Sequence, residues 1–205
     1  MGDKASFFLL EQFIPGDIYH VDAIVSEKAI IFAEVHKYKQ PPMNVSHEGG
    51  VFISRTLPRE SDEVQPLLKL NKKLIEVFGM VRGVNHTEFI RSSQNGELYF
   101  LETAARVAGA NIAELIAYAS GINLWSEWAK IEIANYKGES YSLLEHFEKY
   151  AGVMICLARQ ENPDLSNYDD PEVVWQLHKK HHAGLIVASE EQRRIEQLLD
   201  NQKLL

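Results

Sequence analysis

The sequence predicts an α+β fold with a mostly antiparallel sheet and packed helices, because its early strand patterns form hairpins and its helix patterns carry single apolar stripes. The 205 residues are enough for one domain with a sizeable core, or for one domain and a small appendage. We expect a main lobe over residues 1–140 and a small C-terminal α/β appendage over residues 141–205. With 45% hydrophobic and 24% charged residues, the composition is that of a globular protein.

The N-terminal part of the chain predicts strands separated by turns and one long loop. Residues that alternate on both sides of the turn at Ser26-Glu27-Lys28 predict a hairpin. Pro41-Pro42 and Gly49-Gly50 place a loop in a polar stretch, and long loops in compact domains are often functional. The predicted elements are a buried strand over 7–14, a hairpin of strands 18–25 and 29–35, a loop over 37–50 and a strand over 51–56.

Amphipathic patterns predict helices in the remainder of the chain. One apolar stripe follows the helix start at Ser61-Asp62-Glu63 and ends at Gly79, a residue type that readily takes the left-handed conformation at a helix end. A hairpin over 80–103 follows, and then helices over 111–120 and 124–135. The appendage is predicted as a strand, helix, strand and helix over 152–158, 170–178, 185–188 and 190–201.

The net charge and the cysteine content indicate which binding partners and which cellular compartment to expect. The net charge is −8, and an acidic chain lacks the basic surface that nucleic acids and anionic membranes require. We therefore expect neither partner. Cys156 is the only cysteine, so no internal disulfide can form, which indicates a reducing, cytoplasmic setting. Its apolar neighbours favour a core role for Cys156 over a nucleophilic one.

The most informative segment is the predicted hairpin that carries Glu88 and Glu102 around an Asn95-Gly96 turn signal. Its register decides whether the two carboxylates meet. A two-residue turn would pair Glu88 with Thr103, whereas an odd loop of three or five residues on the same centre would pair Glu88 with Glu102. In the second register Ile90 faces Phe100 and His86 faces Ala104.

The spacing of Glu88 and Glu102 by itself allows three interpretations: two in which the carboxylates face each other and one in which they do not. Like charges opposite each other on neighbouring strands cost a few tenths to about 1 kcal/mol, so such a pair usually has a reason. The reason is either a hard cation such as Mg²⁺, which prefers carboxylates and phosphate oxygens, or a proton shared as in an acid–base pair. The third interpretation is a two-residue turn that leaves one glutamate solvated. Arg106, four residues after Glu102, could bind a phosphate or carboxylate, or pair with a neighbouring glutamate.

Several short motifs resemble the C-terminal signature of the ATP-grasp superfamily, in particular its biotin-carboxylase-like and carbamoyl-phosphate-synthase-like branch. That branch carries a glutamate on one strand, a Glu-x-Asn-x-Arg run on the next, and a helix that ends in a small residue and a glycine. The matching segments are Glu88-Phe89, the run Phe100-Leu101-Glu102-Thr103-Ala104-Ala105-Arg106-Val107-Ala108-Gly109-Ala110, and Ala119-Ser120-Gly121. Leu10 to Gly16 resembles the strand that links the two lobes of the family fold, and Tyr19 to Asp22 resembles the strand after it.

The resemblance implies a nucleotide site and the residues that form it. Glu88 and Glu102 would ligate the Mg²⁺ (or Mn²⁺) that bridges the ATP phosphates, and Arg106 would contact the γ-phosphate or an acyl-phosphate intermediate. The adenine would meet the linking strand, and a polar side chain of the next strand would meet the ribose. The implied nucleotide-binding residues are Glu11, Gln12, Phe13, Ile14, His20 and Asp22.

The implied function is the C-terminal part of an ATP-dependent carboxylate–amine or carboxylate–thiol ligase. Three departures from the family pattern argue against a complete active site. Ala104 stands where the family has a metal-binding asparagine, and Ile18 stands near the position of the usual ribose-binding glutamate. The lobe that precedes the linking strand is expected to be missing. We therefore expect an incomplete and inactive chain whose partners are a nucleotide, a carboxylate substrate and that lobe, with a tendency to self-associate. The alternatives are a non-catalytic nucleotide-binding or assembly module and a hydrolase that uses Glu88 and Glu102 as acid and base.

Overall fold

The computed structural model describes residues 9–200 and contains one eight-stranded antiparallel sheet, which confirms the predicted α+β class. The strand order is β5-β4-β1-β2-β3-β6-β8-β7. The strands are β1 (Gly16–Ser26), β2 (Ala29–Tyr38), β3 (Phe52–Thr56), β4 (Gly83–Ser92), β5 (Leu98–Ala104), β6 (Tyr150–Leu157), β7 (Val173–Gln176) and β8 (His182–Ser189). The helices are α1 (Pro42–Glu48), α2 (Gln65–Phe78), α3 (Ile112–Ser120), α4 (Leu124–Lys137) and α5 (Gln192–Asp200).

Helices cover both faces of this sheet. Helices α3 and α4 pack against one face, where Ile24 and Val84 join their core. Helix α2 packs against the opposite face of β1, β2 and β4, over Tyr19, Val21 and Phe89. We call the first the histidine face, because His20, His36 and His86 meet on it, and the second the α2 face.

Helix α2 ends where the sequence predicts. Gly79 takes a left-handed conformation with φ 65°, and its N–H donates to the Glu76 carbonyl oxygen. A glycine tolerates this conformation because it has no Cβ to clash with the following carbonyl group. The chain then turns into β4, whose pairing with β5 forms the carboxylate hairpin.

Three predicted elements are wrong. Residues 9–14 of the strand predicted over 7–14 lie in no strand, because no neighbouring strand pairs with them; Leu10 and Phe13 are instead exposed. Residues 7 and 8 lie outside the described residues. The loop predicted over 37–50 contains helix α1, since a proline is well tolerated in the first turn of a helix.

The third error lies in the C-terminal part. The helix predicted over 170–178 is replaced by strand β7, because its β-branched and aromatic residues pair with β8 at the edge of the sheet. The predicted strand–helix–strand–helix order therefore becomes three strands and one helix. Strand β6 pairs with β3, so these last strands continue the sheet of the N-terminal part. A domain boundary near residue 140 stays a prediction.

Candidate metal and nucleotide site

Glu88 and Glu102 are paired directly across strands β4 and β5, and His86 is paired with Ala104, as the odd-loop register predicts. The route to this pairing differs from the prediction. Four residues, 93–96, form the loop, because the Ser92 N–H donates to the Glu97 carbonyl oxygen at 2.9 Å. Ile90 consequently faces Tyr99, so the predicted contact with Phe100 is wrong. An irregularity next to Glu88 then shifts the register by one residue and brings the two carboxylates opposite each other.

The two oxygens of the Glu88 carboxylate have different surroundings. Oε1 accepts a hydrogen bond from the Tyr38 hydroxyl at 2.7 Å and lies 3.3 Å from Nε2 of His86. Within residues 9–200 no side chain donates to Oε2. Burial by itself would raise the pKa of Glu88, but the hydrogen bonds from His86 and Tyr38 outweigh it and hold the pKa below its usual value. Glu88 is thus ionised at neutral pH, with its side chain 12% exposed.

A buried polar network lies beneath Glu88 on the histidine face. Asp22 accepts from Nδ1 of His20 at 2.6 Å through one oxygen and from Nδ1 of His86 at 2.9 Å through the other. Nε2 of His20 lies 2.7 Å from the Ser54 hydroxyl. Asp22, His20 and Ser54 have no exposed surface. These hydrogen bonds satisfy a carboxylate that would otherwise be very costly to bury.

The three histidines of this face differ in charge. Burial would lower the pKa of His86, but the neighbouring Asp22 carboxylate reverses this and raises it to about 10. Burial lowers the pKa of His20 and lowers that of His36 well below the usual value. Burial would raise the pKa of Asp22, but His86 and His20 hold it far below its normal range. The network therefore contains one imidazolium and one carboxylate, with two neutral rings stacked 4.8 Å apart.

Three side chains of the network lie close enough together to be considered as ligands of one metal ion. One ligand atom each from His20, Asp22 and His86 lies within 4.8 Å of the others. Both carboxylate oxygens of Asp22, however, already accept hydrogen bonds from the two imidazoles. These contacts account for the arrangement without an ion, so we assign the three side chains to a hydrogen-bonding network.

The predicted nucleotide-binding residues fall into two groups. The side chains of His20 and Asp22 have no exposed surface, which does not support a direct contact with a ribose. Residues 11–14 lie in a largely exposed segment outside any helix or strand, and Phe13 is 85% exposed. The carbonyl oxygen of Pro15 accepts from the Ser93 N–H at 2.9 Å, which ties this segment to the loop of the carboxylate hairpin. It thus offers accessible backbone groups near the hairpin.

Arg106 lies in the loop that follows β5 and is exposed. Its Nη1 donates to the Val107 carbonyl oxygen at 2.9 Å. Within residues 9–200 no ion pair joins Arg106 to a carboxylate, so the alternative of a pair with a neighbouring glutamate is not found among the described residues. The remaining N–H groups can bind an anion.

Sequence reasoning missed Tyr38 and His86 as parts of this site. His86 carried a usable signal, because it stands two residues before Glu88 on the same strand and so shares its face. Tyr38 carried none. The strand predicted to end at residue 35 extends to Tyr38, and only the pairing of β1 with both β2 and β4 brings its hydroxyl to Glu88.

The donor set around the two carboxylates fits a hard divalent cation. Mg²⁺ binds one or two carboxylates and completes its coordination with water and phosphate oxygens. Oε2 of Glu88 is free of side-chain donors among the described residues, and Glu102 is exposed and has no ion pair there. Ala104 supplies no ligand atom, so this hairpin offers two protein ligands.

The antiparallel sheet with helices on both faces and the facing glutamate pair at its edge agree with the resemblance to ATP-grasp domains. A family model described as an ATP-grasp domain matches residues 3–114, which is more than half of the chain. The chain therefore belongs to the ATP-grasp family.

Several characterised proteins and solved structures are similar to this chain. The L-arginine-specific L-amino acid ligase of Bacillus subtilis is 26% identical over 130 residues, which cover 62% of this chain and 30% of that protein. An L-amino acid ligase structure from Bacillus licheniformis matches with a TM-score of 0.69 and 17% identity, over 94% of this chain and 51% of that one. Phosphoribosylglycinamide synthetase from Anaerococcus prevotii matches with a TM-score of 0.68 and 18% identity, over 92% and 52%.

These matches set limits on what is shared. At such identities the structural matches show the fold alone. The chain spans about half the length of these solved structures and 30% of the Bacillus subtilis relative. Among residues 9–200, no helix is long and apolar enough to cross a membrane.

Proposed function

We propose that this chain forms the C-terminal part of an ATP-dependent ligase that activates a carboxylate as an acyl phosphate and joins it to an amine or a thiol. The observation that carries the proposal is the direct pairing of Glu88 with Glu102 at the edge of a sheet of the ATP-grasp fold. Opposed carboxylates destabilise a sheet unless something neutralises them, and a divalent cation that also binds the ATP phosphates would do so.

Each site residue has a distinct part in this reaction. Glu88 and Glu102 would hold Mg²⁺ or Mn²⁺, which neutralises the phosphate charge that develops during transfer. Arg106 would bind the transferred phosphoryl group with its free guanidinium N–H groups. The exposed backbone of residues 11–14 would face the adenine, and positioning rather than covalent chemistry would supply most of the rate.

The reaction balances in two steps. A carboxylate oxygen attacks the γ-phosphorus of ATP, which forms the acyl phosphate and releases ADP. The amine or thiol then attacks the acyl carbon, the acyl C–O bond breaks, and the released phosphate takes up the proton that the nucleophile loses. Two relatives are described as L-amino acid ligases, which favours an amino acid as the carboxylate or amine substrate here.

A second candidate is a non-catalytic nucleotide-binding or assembly module of the same fold. Ala104 supports it, because it stands where the family pattern has a metal-binding asparagine, and the lobe that precedes the linking strand in the family would cover the nucleotide. Both candidates require a nucleotide and a cation at the carboxylate pair. They differ in turnover, since the ligase fragment would regain activity when that lobe is supplied and the module would not.

Metal-dependent nucleotide binding tests the proposal. We would titrate the whole chain with a fluorescent ATP analogue in the presence and absence of Mn²⁺. Replacement of both carboxylates, Glu88→Gln with Glu102→Gln, should abolish the gain in affinity that Mn²⁺ provides. The matched control is Glu97→Gln, which removes an exposed carboxylate from the same hairpin and should leave the gain unchanged. An equal Mn²⁺ effect in the double variant and the unaltered chain would refute the proposal.

A further inference from the structure

We propose that Tyr38 and His86 are positioning residues for the cation site: they hold one oxygen of Glu88 so that the other faces the metal, and Asp22 fixes His86 in turn. This inference rests on the proposed role of Glu88 as a metal ligand. Neither Tyr38 nor His86 contacts the cation or the nucleotide in this account; both act through Glu88.

The first observation is that both groups meet the same oxygen. The Tyr38 hydroxyl lies 2.7 Å and His86 Nε2 lies 3.3 Å from Oε1 of Glu88. A carboxylate bound on one oxygen by two side chains has little freedom to rotate about its terminal bond, because rotation would break both contacts. Oε2 is then held in one direction. Its lone pairs stay available for a metal, since no side chain of residues 9–200 donates to them.

The second observation is that His86 lies between two carboxylates. Its Nδ1 is 2.9 Å from Oδ1 of Asp22, and its Nε2 faces Glu88. Carboxylate oxygens can only accept hydrogen bonds from an imidazole, so both ring nitrogens act as donors. Asp22 therefore fixes both the orientation of the ring and the direction of the N–H that points at Glu88, as a carboxylate does for a metal-bound histidine.

The third observation is that the anchoring groups are buried. Asp22 has no exposed surface, Tyr38 is 4% exposed and His86 is 6% exposed. The Asp22 oxygen that does not meet His86 accepts from His20, which in turn meets Ser54 on β3. Strands β1, β2, β3 and β4 thus hold one rigid chain of contacts that ends at Glu88. A neutral apolar core in this position would be cheaper to bury, which indicates that the polar chain is retained for its effect on the site.

A purely structural network makes a different prediction. Its disruption would lower the stability of the protein without an effect specific to the cation. The two accounts are separated by the affinity of the folded chain for Mn²⁺, which does not depend on how stable the fold is as long as the protein remains folded.

The experiment measures Mn²⁺ binding to the whole chain from the electron paramagnetic resonance signal of the free ion. Tyr38→Phe keeps the ring and removes only the hydroxyl, and it should weaken Mn²⁺ binding by about 10-fold, the lower end of what loss of an outer hydrogen-bond partner costs a metal site. His86→Leu should have a similar effect, and His86→Gln should restore part of the affinity, because its amide can still donate to Glu88.

The matched control is Tyr141→Phe. The Tyr141 hydroxyl donates to a carboxylate oxygen of Glu127 at 2.5 Å, so the change removes the same kind of hydrogen bond far from the hairpin along the chain. It should leave Mn²⁺ affinity unchanged. Thermal unfolding of each variant confirms that the measurement is made on folded protein.

A double-mutant cycle shows whether Tyr38 acts through Glu88. In a Glu88→Gln background, Tyr38→Phe should cause no further loss of Mn²⁺ affinity. Loss of the same size in both backgrounds, or no loss in the chain with Glu88 intact, would overturn the positioning role and leave the proposed function standing. If Glu88→Gln itself leaves Mn²⁺ affinity unchanged, the proposed function fails and the positioning role fails with it.

Discussion

On strand β1, Tyr19 and Val21 face helix α2, whereas His20 and Asp22, which alternate with them, face the opposite side of the sheet. Both sets are fully buried. The α2 face excludes water with apolar and aromatic side chains. The histidine face has an apolar core against α3 and α4, but around His20 it excludes water with imidazoles, carboxylates and hydroxyl groups that depend on one another for hydrogen bonds.

The difference between the faces shows where stability arises and where the site lies. Apolar burial contributes without needing an exact partner, so the α2 face gains stability from each side chain. Each polar group of the histidine face loses its hydrogen bonds to water on burial, and its new hydrogen bonds must compensate for that loss, which leaves little net gain in stability. Stability alone does not explain why Asp22 is buried. Because Asp22 contacts His86, which in turn contacts Glu88, the buried polar groups lie on the face that leads to the candidate site.

The largest effect is expected on the α2 face, from Phe89→Ala. Phe89 is 1% exposed and packs under α2, so its truncation should lower the free energy of unfolding by about 3–5 kcal/mol. Urea denaturation measures the change. Phe100→Ala is the control, because that ring is 46% exposed and its loss should cost about 1 kcal/mol. Equal losses would show that burial on this face does not govern stability.

The next effect concerns a carboxylate of the histidine face and its dependence on pH. Burial raises the pKa of Glu34 to about 7 from the usual 4.5, although Arg59 opposes the rise. Between these two pH values the folded state holds a proton that the unfolded state has lost. Stability therefore falls as pH rises from 4.5 to about 7, by about 3 kcal/mol from this residue alone.

Glu34→Gln should remove that part of the slope. The measurement is the free energy of unfolding at pH 4.5, 6 and 8 for the variant and the unaltered chain, and the difference between them should change across this window. Glu48→Gln, an exposed carboxylate of helix α1, should leave the slope unchanged. A pH profile that Glu34→Gln does not alter would mean that Glu34 stays ionised beside Arg59.

Much of the fold followed from local pattern. The hairpin of β1 and β2, helix α2 with its end at Gly79, and helices α3 and α4 were all predicted close to their observed bounds. Residues 9–14 and strand β7 were not. An apolar run has the same composition whether a strand is available to pair with it or not, and only the sheet order decides between a buried strand and an exposed segment.

Less of the site could be predicted. The facing of Glu88 and Glu102 was predicted for a three- or five-residue loop, but it results from a four-residue loop and an irregularity next to Glu88. The four-residue loop shifts the pairing by one residue relative to an odd loop, and the irregularity next to Glu88 shifts it back. No residue type in the hairpin predicts either shift. The hydrogen bond from Tyr38 depends on the pairing of strands far apart in the chain, which is why sequence spacing could not find it.

A smaller effect is expected from the few polar groups of the α2 face. Thr87 Oγ1 lies 2.7 Å from Asn85 Nδ2 and 2.8 Å from Thr103 Oγ1, and Thr87 is 1% exposed. Thr87→Val keeps the shape and removes these bonds, so it should cost about 1–2 kcal/mol in urea denaturation, because Asn85 is left buried with a weaker partner. Thr103→Val, at an exposed position, should cost less. A stability gain from Thr87→Val would show that the hydrogen bonds of Thr87 contribute less to stability than an apolar side chain of the same shape.

The smallest stability effect, with the opposite sign, is expected from Glu102→Gln. Glu102 stands directly opposite Glu88, so removing its charge relieves repulsion across the strand pair and should raise the free energy of unfolding by a few tenths to about 1 kcal/mol without added metal. The gain should shrink at high salt, which screens exposed charges. In the presence of Mn²⁺ and nucleotide the sign should reverse, because the unaltered chain alone is stabilised by the bound ligands. Thermal unfolding with and without these ligands measures both signs. A change that destabilises the ligand-free protein would mean that Glu102 supports the sheet itself, and the contrast between a face that gives stability and a face that leads to the binding site would then not hold at Glu102.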